Sequence, residues 1–188
     1  MDDRKLKEYA LNIFNNVPGY SLQKAFALFP MYYTKIAFYY SELITQKQEE
    51  LTTRTIQSVG ITRAQNLVRF AREANFTIKK VYFSSSVLMQ KLDEIVRLME
   101  FNTNYEEYSN YKIDVFKTHG RIMDNVKFMA SLNNKAFTKV KDEANKYGFN
   151  DILKEANYYL AMNNALLRQI VKVSNSYIES YIEGLNIN

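Results

Sequence analysis

The chain has 188 residues, of which 47% are apolar and 14% aromatic, with five Gly, two Pro and no Cys. This length and apolar content suit one domain with a sizeable core and exclude global disorder. The absence of Cys excludes disulfide frameworks, thiolate nucleophiles and thiolate metal sites, and the scarcity of Gly and Pro predicts long helices.

The net charge of +5 arises from one part of the chain. Residues 1–53 carry six bases and six acids, and residues 92–188 carry twelve bases and thirteen acids. Residues 54–91 carry seven bases against the single acid Glu73. A clustered excess of positive charge points to a partner in a way that a diffuse excess does not.

The first third of the chain predicts three helices. An apolar stripe at helical spacing predicts the first over about 4–16, and Val17-Pro18-Gly19 ends it. A short helix over 21–28 follows, and Pro30 suits the first turn of a long helix that continues towards Ser58. The second half of that long helix is polar, so we expect it to project from the core.

The segment Leu22–Ile44 is the most aromatic part of the chain, with four Tyr, three Phe and only three charged residues. Its rings fall on nearly every side of a helix, and a helix that is apolar most of the way round is buried on several sides. It is therefore either the central helix around which the others pack or the contact surface of an oligomer. Because aromatic residues are enriched in interfaces, we predict self-association through rings of this segment and of the last helix: Tyr32, Tyr33, Phe38, Tyr39, Tyr40, Tyr177 and Tyr181.

Residues 61–101 contain neither Gly nor Pro and keep one heptad frame throughout. Three apolar positions per heptad make a stripe wide enough for a globular helical bundle and wider than the seam of a two-stranded coiled coil. The polar residues Asn75 and Ser85 within this stripe would set the helix register. The spacing predicts one helix about 60 Å long, at 1.5 Å per residue.

The C-terminal half predicts three more helices. Thr103 and Glu106 form a capping box that begins a helix, and the pair Asn133-Asn134 ends it. A short helix then runs to Gly148, which is a good C-terminal cap. The last long helix covers about 151–183, where apolar residues follow each other at steps of four and three.

Together these elements predict an all-α protein, an antiparallel bundle of three to four long helices plus two or three short helices. Residues 1–188 form a single helical domain, from which a helical hairpin around residues 45–70 would project. The N-terminus has acids where a secretory signal has bases, and charges interrupt residues 25–44, the stretch nearest to a membrane span. We therefore expect a cytoplasmic protein with no membrane partner.

Several chemistries lack the residues that they need. The single histidine, His119, has Phe116 three residues before it, so the Glu-x-x-His pairs of a di-metal carboxylate site are missing. His119 lies on the apolar stripe of its helix, which favours a hydrogen-bonded histidine in the core or at an interface over a ligand or catalyst. The chain has neither a glycine-rich phosphate loop nor a serine-nucleophile motif. We therefore predict a protein that is not an enzyme, with no catalytic residue, metal site, cofactor or small-molecule substrate.

One stripe on the helix over 61–101 combines bases with phenylalanines. It lies opposite the apolar stripe and is our candidate surface for a partner or nucleic acid: Arg63, Arg69, Arg72, Phe76, Lys79, Lys80 and Phe83. Exposed rings between bases suit phosphate contact combined with base stacking, or packing against a protein. The alternative is that a neighbouring helix covers Phe70, Phe76 and Phe83 and leaves the bases as a rim.

We therefore predict a non-catalytic α-helical scaffold or adaptor that acts through self-assembly and protein–protein contacts, as a homo-oligomer or with a protein partner. The bias towards Lys, Asn, Tyr and Ile suggests an AT-rich genome, and with it a structural subunit of a virus or mobile element, located in the virion in that case. The alternative is a nucleic-acid-binding helical protein that uses the basic-aromatic face Arg63–Lys80.

Overall fold

The computed structural model describes residues 2–16, 32–101 and 104–185, and within them it contains five α-helices and no strand. These are α1 (Asp3–Asn16), α2 (Tyr33–Val59), α3 (Gln65–Phe101), α4 (Tyr105–Tyr147) and α5 (Asn150–Leu185). The prediction of an all-α protein is confirmed. The short helix predicted over 21–28 and the predicted helix start at Pro30 lie outside the described residues.

Helix α2 contacts each of the other four helices. Every residue from Tyr33 to Ser41 is buried, as expected for a helix with rings on nearly every side. The ring of Tyr40 meets Phe14 of α1 edge-on with centroids 5.6 Å apart, and Phe38 lies 5.1 Å from Tyr82 of α3. The other helices therefore pack around α2.

The C-terminal half of α2 is polar in sequence, and we expected it to project from the core. In the structure its side chains Gln48, Thr52 and Thr55 are buried. The Gln48 amide donates to the Thr52 hydroxyl at 2.8 Å, and the Thr55 hydroxyl donates to the Leu51 carbonyl at 2.7 Å. These bonds within the helix satisfy the Gln48 amide N–H and the Thr55 hydroxyl, both of which are removed from water.

Helices α2 and α3 lie antiparallel, because Lys35 near the start of α2 pairs with Asp93 near the end of α3. Glu42 of α2 accepts a hydrogen bond from Tyr82 of α3 at 3.2 Å, after a turn that begins at Gly60. Helix α3 starts at Gln65, four residues later than predicted, because residues 61–64 form this turn. A matching turn at Gly148 joins α4 to α5, and the φ of 73° at Gly148 is the left-handed conformation that favours glycine.

Helix α4 is unbroken from Tyr105 to Tyr147, so the predicted break at Asn133-Asn134 and the separate short helix after it are wrong. The Asn133 amide donates to Thr45 of α2, and the Asn134 amide donates to Asn164 of α5, both at 2.9 Å. An Asn costs a helix interior at most about 0.7 kcal/mol, and these bonds offset that cost. At the start of α4 the side chain of Asn104 caps the helix by accepting from the Glu106 N–H at 3.0 Å, whereas the predicted cap Thr103 lies outside the described residues.

Candidate binding surface

Exposed phenylalanines and bases occupy the outer face of α3, on the side away from its buried stripe. Phe76 is 62% exposed and Phe83 is 73% exposed. The five bases singled out with them are also exposed: Arg63, Arg69, Arg72, Lys79 and Lys80. Arg63 lies in the turn before α3, and the other four lie on the helix. All seven predicted residues are therefore open to solvent.

The three rings that a neighbouring helix was expected to cover differ from one another. Phe70 is half-buried, and Lys139 of α4 places its Nζ 5.1 Å from the centre of that ring. A cleft of about 380 Å³ opens beside this contact, between α3 and α4. Phe76 has the Nζ of Lys80, from its own helix, 4.4 Å from its ring centre. Phe76 and Phe83 thus keep most of their surface exposed, whereas α4 partly covers Phe70.

Apolar side chains continue along the outer face of α3 beyond the predicted stripe. Val87, Leu98 and Phe101 are 48%, 47% and 85% exposed. From Phe76 to Phe101 the steps between these residues are 7, 4, 11 and 3, so at 3.6 residues per turn all five fall within an arc of about 60°. We call these five residues the outer apolar line of α3. Sequence reasoning missed the last three, although at 3.6 residues per turn they lie on the same side of the helix as Phe76 and Phe83.

Positive charge borders the outer apolar line. Eight exposed charged residues of α3 lie on or beside it: Arg69, Arg72, Glu73, Lys79, Lys80, Lys91, Glu94 and Arg97. Six of these are bases and two are acids. Phe128 on the adjacent helix α4 is 48% exposed and lies about one turn from Asn125, whose amide donates to Ser85 of α3 at 3.1 Å. The surface therefore combines an apolar line, interrupted by Glu94 between Val87 and Leu98, with an excess of bases on and beside that line.

The residues predicted for self-association lie elsewhere. Tyr33, Phe38, Tyr39 and Tyr40 are all buried, with exposures of 6% or less, and Tyr32 is half-buried. Their rings pack against neighbouring helices of the same chain, which leaves little of their surface for a second copy. The side chains of the other two predicted residues, Tyr177 and Tyr181 of α5, lie outside the described part of the structure.

Lys35 joins three helices at one end of α2, an arrangement that its sequence neighbours did not reveal. The residue is 6% exposed, and its Nζ donates to Asp3 of α1 at 2.8 Å and to both carboxylate oxygens of Asp93 of α3 at 2.8 and 2.9 Å. Burial alone lowers the pKa of Lys35, but the hydrogen bonds and charges of the two carboxylates outweigh burial and raise this pKa. Lys35 is therefore charged at neutral pH and ties α1 and α3 to α2.

His119 lies close to this ion cluster and is 5% exposed. Its ring stacks on Tyr33 with centroids 5.7 Å apart, and its Nδ1 is hydrogen-bonded to the hydroxyl of Thr34. Burial, and then the positive charge of Lys35, lowers the pKa of His119 to about 4. The imidazole is thus neutral at neutral pH, inside the protein, which is the placement that we expected for a core histidine.

Among the described residues, no three or more His, Asp or Glu side chains cluster so as to hold a metal ion, and no helix has the length and apolarity to cross a bilayer. No protein-family model matches the chain, and neither a curated protein nor a solved structure is significantly similar to it.

Proposed function

We propose that the protein is a non-catalytic α-helical scaffold or adaptor that acts through protein–protein contacts. The observation that carries this proposal is the outer apolar line of α3. A surface helix needs one apolar stripe, and α3 has two, one buried within the chain and one open to solvent. Apolar side chains that are exposed and aligned over several turns are typical of a surface that contacts another macromolecule.

The architecture that we propose for this role is an antiparallel bundle of the four long helices, with the shorter α1 docked on α2. The pairing of α2 with α3, of α3 with α4 and of α4 with α5 supports it. In such a bundle the helix that presents the outer apolar line is held along its opposite side by buried residues such as Ile78 and Leu92. A surface that is already rigid loses little conformational entropy when it binds.

Self-assembly is part of the proposal. Because the predicted rings of α2 are buried in the core, contacts between copies would use other exposed apolar side chains, of which Leu11 of α1 (45% exposed) and Tyr158 of α5 (50% exposed) are candidates. A two-fold contact through the outer face of α3 itself is disfavoured, because it would place bases opposite bases.

Nucleic-acid binding through the face Arg63–Lys80 is the second candidate function. One observation favours it: the five bases of that face are exposed together with Phe76 and Phe83. Lys139 of α4 adds another exposed base beside Phe70. Bases that contact phosphates and rings that stack on nucleobases are the means by which proteins bind single strands.

Solution mass decides between the two candidates. Light scattering would be recorded from about 50 mM to about 500 mM salt, a range in which the screening length shortens severalfold, with and without mixed-sequence DNA. For a scaffold we expect a fixed multiple of 22.1 kDa that neither salt nor DNA changes. A mass of 22.1 kDa throughout would refute self-assembly.

Charge reversal identifies the surface that DNA would use. The variant Arg69→Glu/Arg72→Glu changes the outer face of α3, and Lys154→Glu/Arg168→Glu changes two exposed bases of α5 by the same charge. A salt-sensitive gain of mass with DNA, lost in the first variant and kept in the second, would overturn the scaffold proposal in favour of nucleic-acid binding.

A further inference from the structure

The spacing of the outer apolar line is that of a helix-packing seam. The steps of 7, 4, 11 and 3 between Phe76, Phe83, Val87, Leu98 and Phe101 are all sums of threes and fours. Such a series keeps side chains in line with a second helix laid along the first, and proteins recognise amphipathic helices through anchors at this spacing. At 1.5 Å per residue the line is about 37 Å long, which matches a partner helix of roughly 25 residues.

The charges beside this line indicate the charge of the partner. Six exposed bases of α3 flank the line against two exposed acids, Glu73 and Glu94. In paired helices, residues that flank the apolar seam select a partner of opposite charge. A second copy of α3 would bring like charges together, whereas a helix with Asp and Glu beside its apolar stripe would pair with these bases.

The distribution of apolar residues favours a helix over a nucleic acid. Val87 and Leu98 continue the line but have no aromatic face on which a nucleobase could stack. Beyond Phe83 the outer face has only two bases, Lys91 and Arg97, and Glu94 lies between them. Phosphate binding would require the basic residues to continue, whereas burial against a helix requires the apolar residues to continue. Beyond Phe83 the outer face has three exposed apolar residues, Val87, Leu98 and Phe101, with Gln90 and Glu94 between the first two.

We infer that the outer face of α3 is the docking site for an acidic amphipathic helix of a partner protein. The inference rests on the proposed adaptor function and specifies its partner. In the complex Phe76 and Phe83 would be buried in the apolar stripe of the partner, and Lys79, Lys80 and Arg97 would face its carboxylates. Glu94, the acid within the bordering charges, would orient the partner through a base on it.

A pair of designed peptides tests this directly. Each has about 28 residues in four heptads, with Leu at the a and d positions. One has Glu at e and g, and its twin has Lys there, so that like charges keep each peptide from pairing with itself. Binding to the full-length protein would be followed by fluorescence anisotropy of a labelled peptide, together with a labelled oligothymidine of about 30 nucleotides.

We expect the acidic peptide to bind and its basic twin to bind at least about tenfold more weakly. The variant Phe76→Ser/Phe83→Ser should weaken the acidic peptide by about 30-fold, the effect of losing an interface hot spot. The control Val171→Ser, which changes an exposed apolar residue of α5, should bind as the wild type does. Phe76, Phe83 and Val171 are at least 48% exposed, so both variants should fold, as far-UV circular dichroism will verify.

Three results would overturn the inference: no binding of the acidic peptide, equal binding of both peptides, or binding that the Phe76→Ser/Phe83→Ser variant leaves unchanged. Tighter binding of oligothymidine through the same two rings would assign the face to nucleic acid instead. The light-scattering experiment shows whether only the inferred partner is wrong or the proposed scaffold function is wrong as well. If the acidic peptide does not bind while the mass remains a fixed multiple indifferent to DNA, the scaffold proposal stands and only its partner is wrong.

Discussion

Removing the charges of Asp3 and Asp93 together should destabilise the protein much more than removing Lys35 does. In Asp3→Asn/Asp93→Asn the packing is retained, but Lys35, which is 6% exposed, loses both counter-charges. In Lys35→Met the buried charge itself is removed, and the two carboxylates, whose side chains are 54% and 47% exposed, remain hydrated. An ion pair is costly to break chiefly because a buried charge is left without its partner.

The structure sets the size of this difference. We expect Asp3→Asn/Asp93→Asn to lower the free energy of unfolding by about 3 kcal/mol, at the lower end of the range for breaking a buried pair. Proton release limits the loss, because at pH 7 deprotonating a lysine with a pKa of about 10.4 costs about 4.6 kcal/mol. Lys35→Met should change stability by about 1 kcal/mol or less, because lost attraction and avoided desolvation nearly cancel.

Because of Lys35, the stability of the wild type and that of Asp3→Asn/Asp93→Asn should depend on pH in opposite directions. In the wild type the pKa of Lys35 is raised. Its stabilising contribution is therefore complete below the unfolded-state pKa of about 10.4, and is lost as the pH rises through the folded-state pKa. In Asp3→Asn/Asp93→Asn the pKa of Lys35 is lowered, so the penalty of charging it fades as the pH rises. The difference in the free energy of unfolding between the wild type and Asp3→Asn/Asp93→Asn should therefore become smaller from about pH 7 to about pH 10.

Urea unfolding followed by far-UV circular dichroism measures these free energies, provided that the m-values agree between variants. The control is Lys47→Met, which removes an exposed pair with Glu50 and should change stability by less than about 0.5 kcal/mol. Equal losses in Lys35→Met and Asp3→Asn/Asp93→Asn, or a difference that stays constant with pH, would refute the reasoning.

Four further variants test other parts of the fold. Gly120→Ala should raise the free energy of unfolding and Gly148→Ala should lower it, by about 1 kcal/mol each in the same urea titration. The reason is that Gly120 lies within α4 with open space where a Cβ would be, whereas Gly148 has a φ of 73°. Changes of the same sign in the two variants would contradict this. Because the pKa of His119 is lowered to about 4, stability should be complete above about pH 6.5 and fall by about 3 kcal/mol as the pH drops through 4, and His119→Gln should flatten this loss in thermal melts. Asn163→Ala removes bonds from the Asn163 amide to the Ala130 carbonyl at 2.7 Å and to Asn134 at 2.6 Å, and should lower Tm by about 6 °C, for a loss of about 2 kcal/mol; an unchanged Tm would show that the amide contributes nothing.

Helices whose apolar residues repeat over many turns could be predicted from the sequence. The heptad frame over 61–101 predicted α3 to within four residues, because the pattern depends only on residues within the helix itself. The break predicted at Asn133-Asn134 was wrong for the opposite reason. Whether an Asn ends a helix depends on its hydrogen-bond partners, and the partner of Asn133, Thr45, lies 88 residues away in the chain.

At the candidate surface too, the sequence predicted what depends on local spacing but not what depends on residues far away in the chain. That Phe76 and Phe83 share a stripe with bases followed from their spacing, but whether a neighbouring helix covers that stripe depends on tertiary packing. The Lys35 cluster was out of reach, because its acids lie 32 and 58 residues from Lys35. The rings of Tyr39 and Tyr40 are typical of an interface as well as of a core, and only the arrangement of α1, α3 and α5 around them shows that they are buried.

The two stripes of α3 differ in a way that bears on why one of them is exposed. The buried stripe contains small residues, Ala71 and Ala74, which permit close packing of helices, whereas the outer line has large side chains such as Phe83. Burying a phenylalanine contributes about 1.5–3 kcal/mol, so a chain that leaves Phe76 and Phe83 more than 60% exposed forgoes that contribution to its own stability. The flanking bases offset the risk of aggregation, since like charges oppose contact between copies of the same face. Exposed rings of this size and their charged border are both accounted for if the surface is reserved for a partner of opposite charge, and neither is explained by the folding of the single chain.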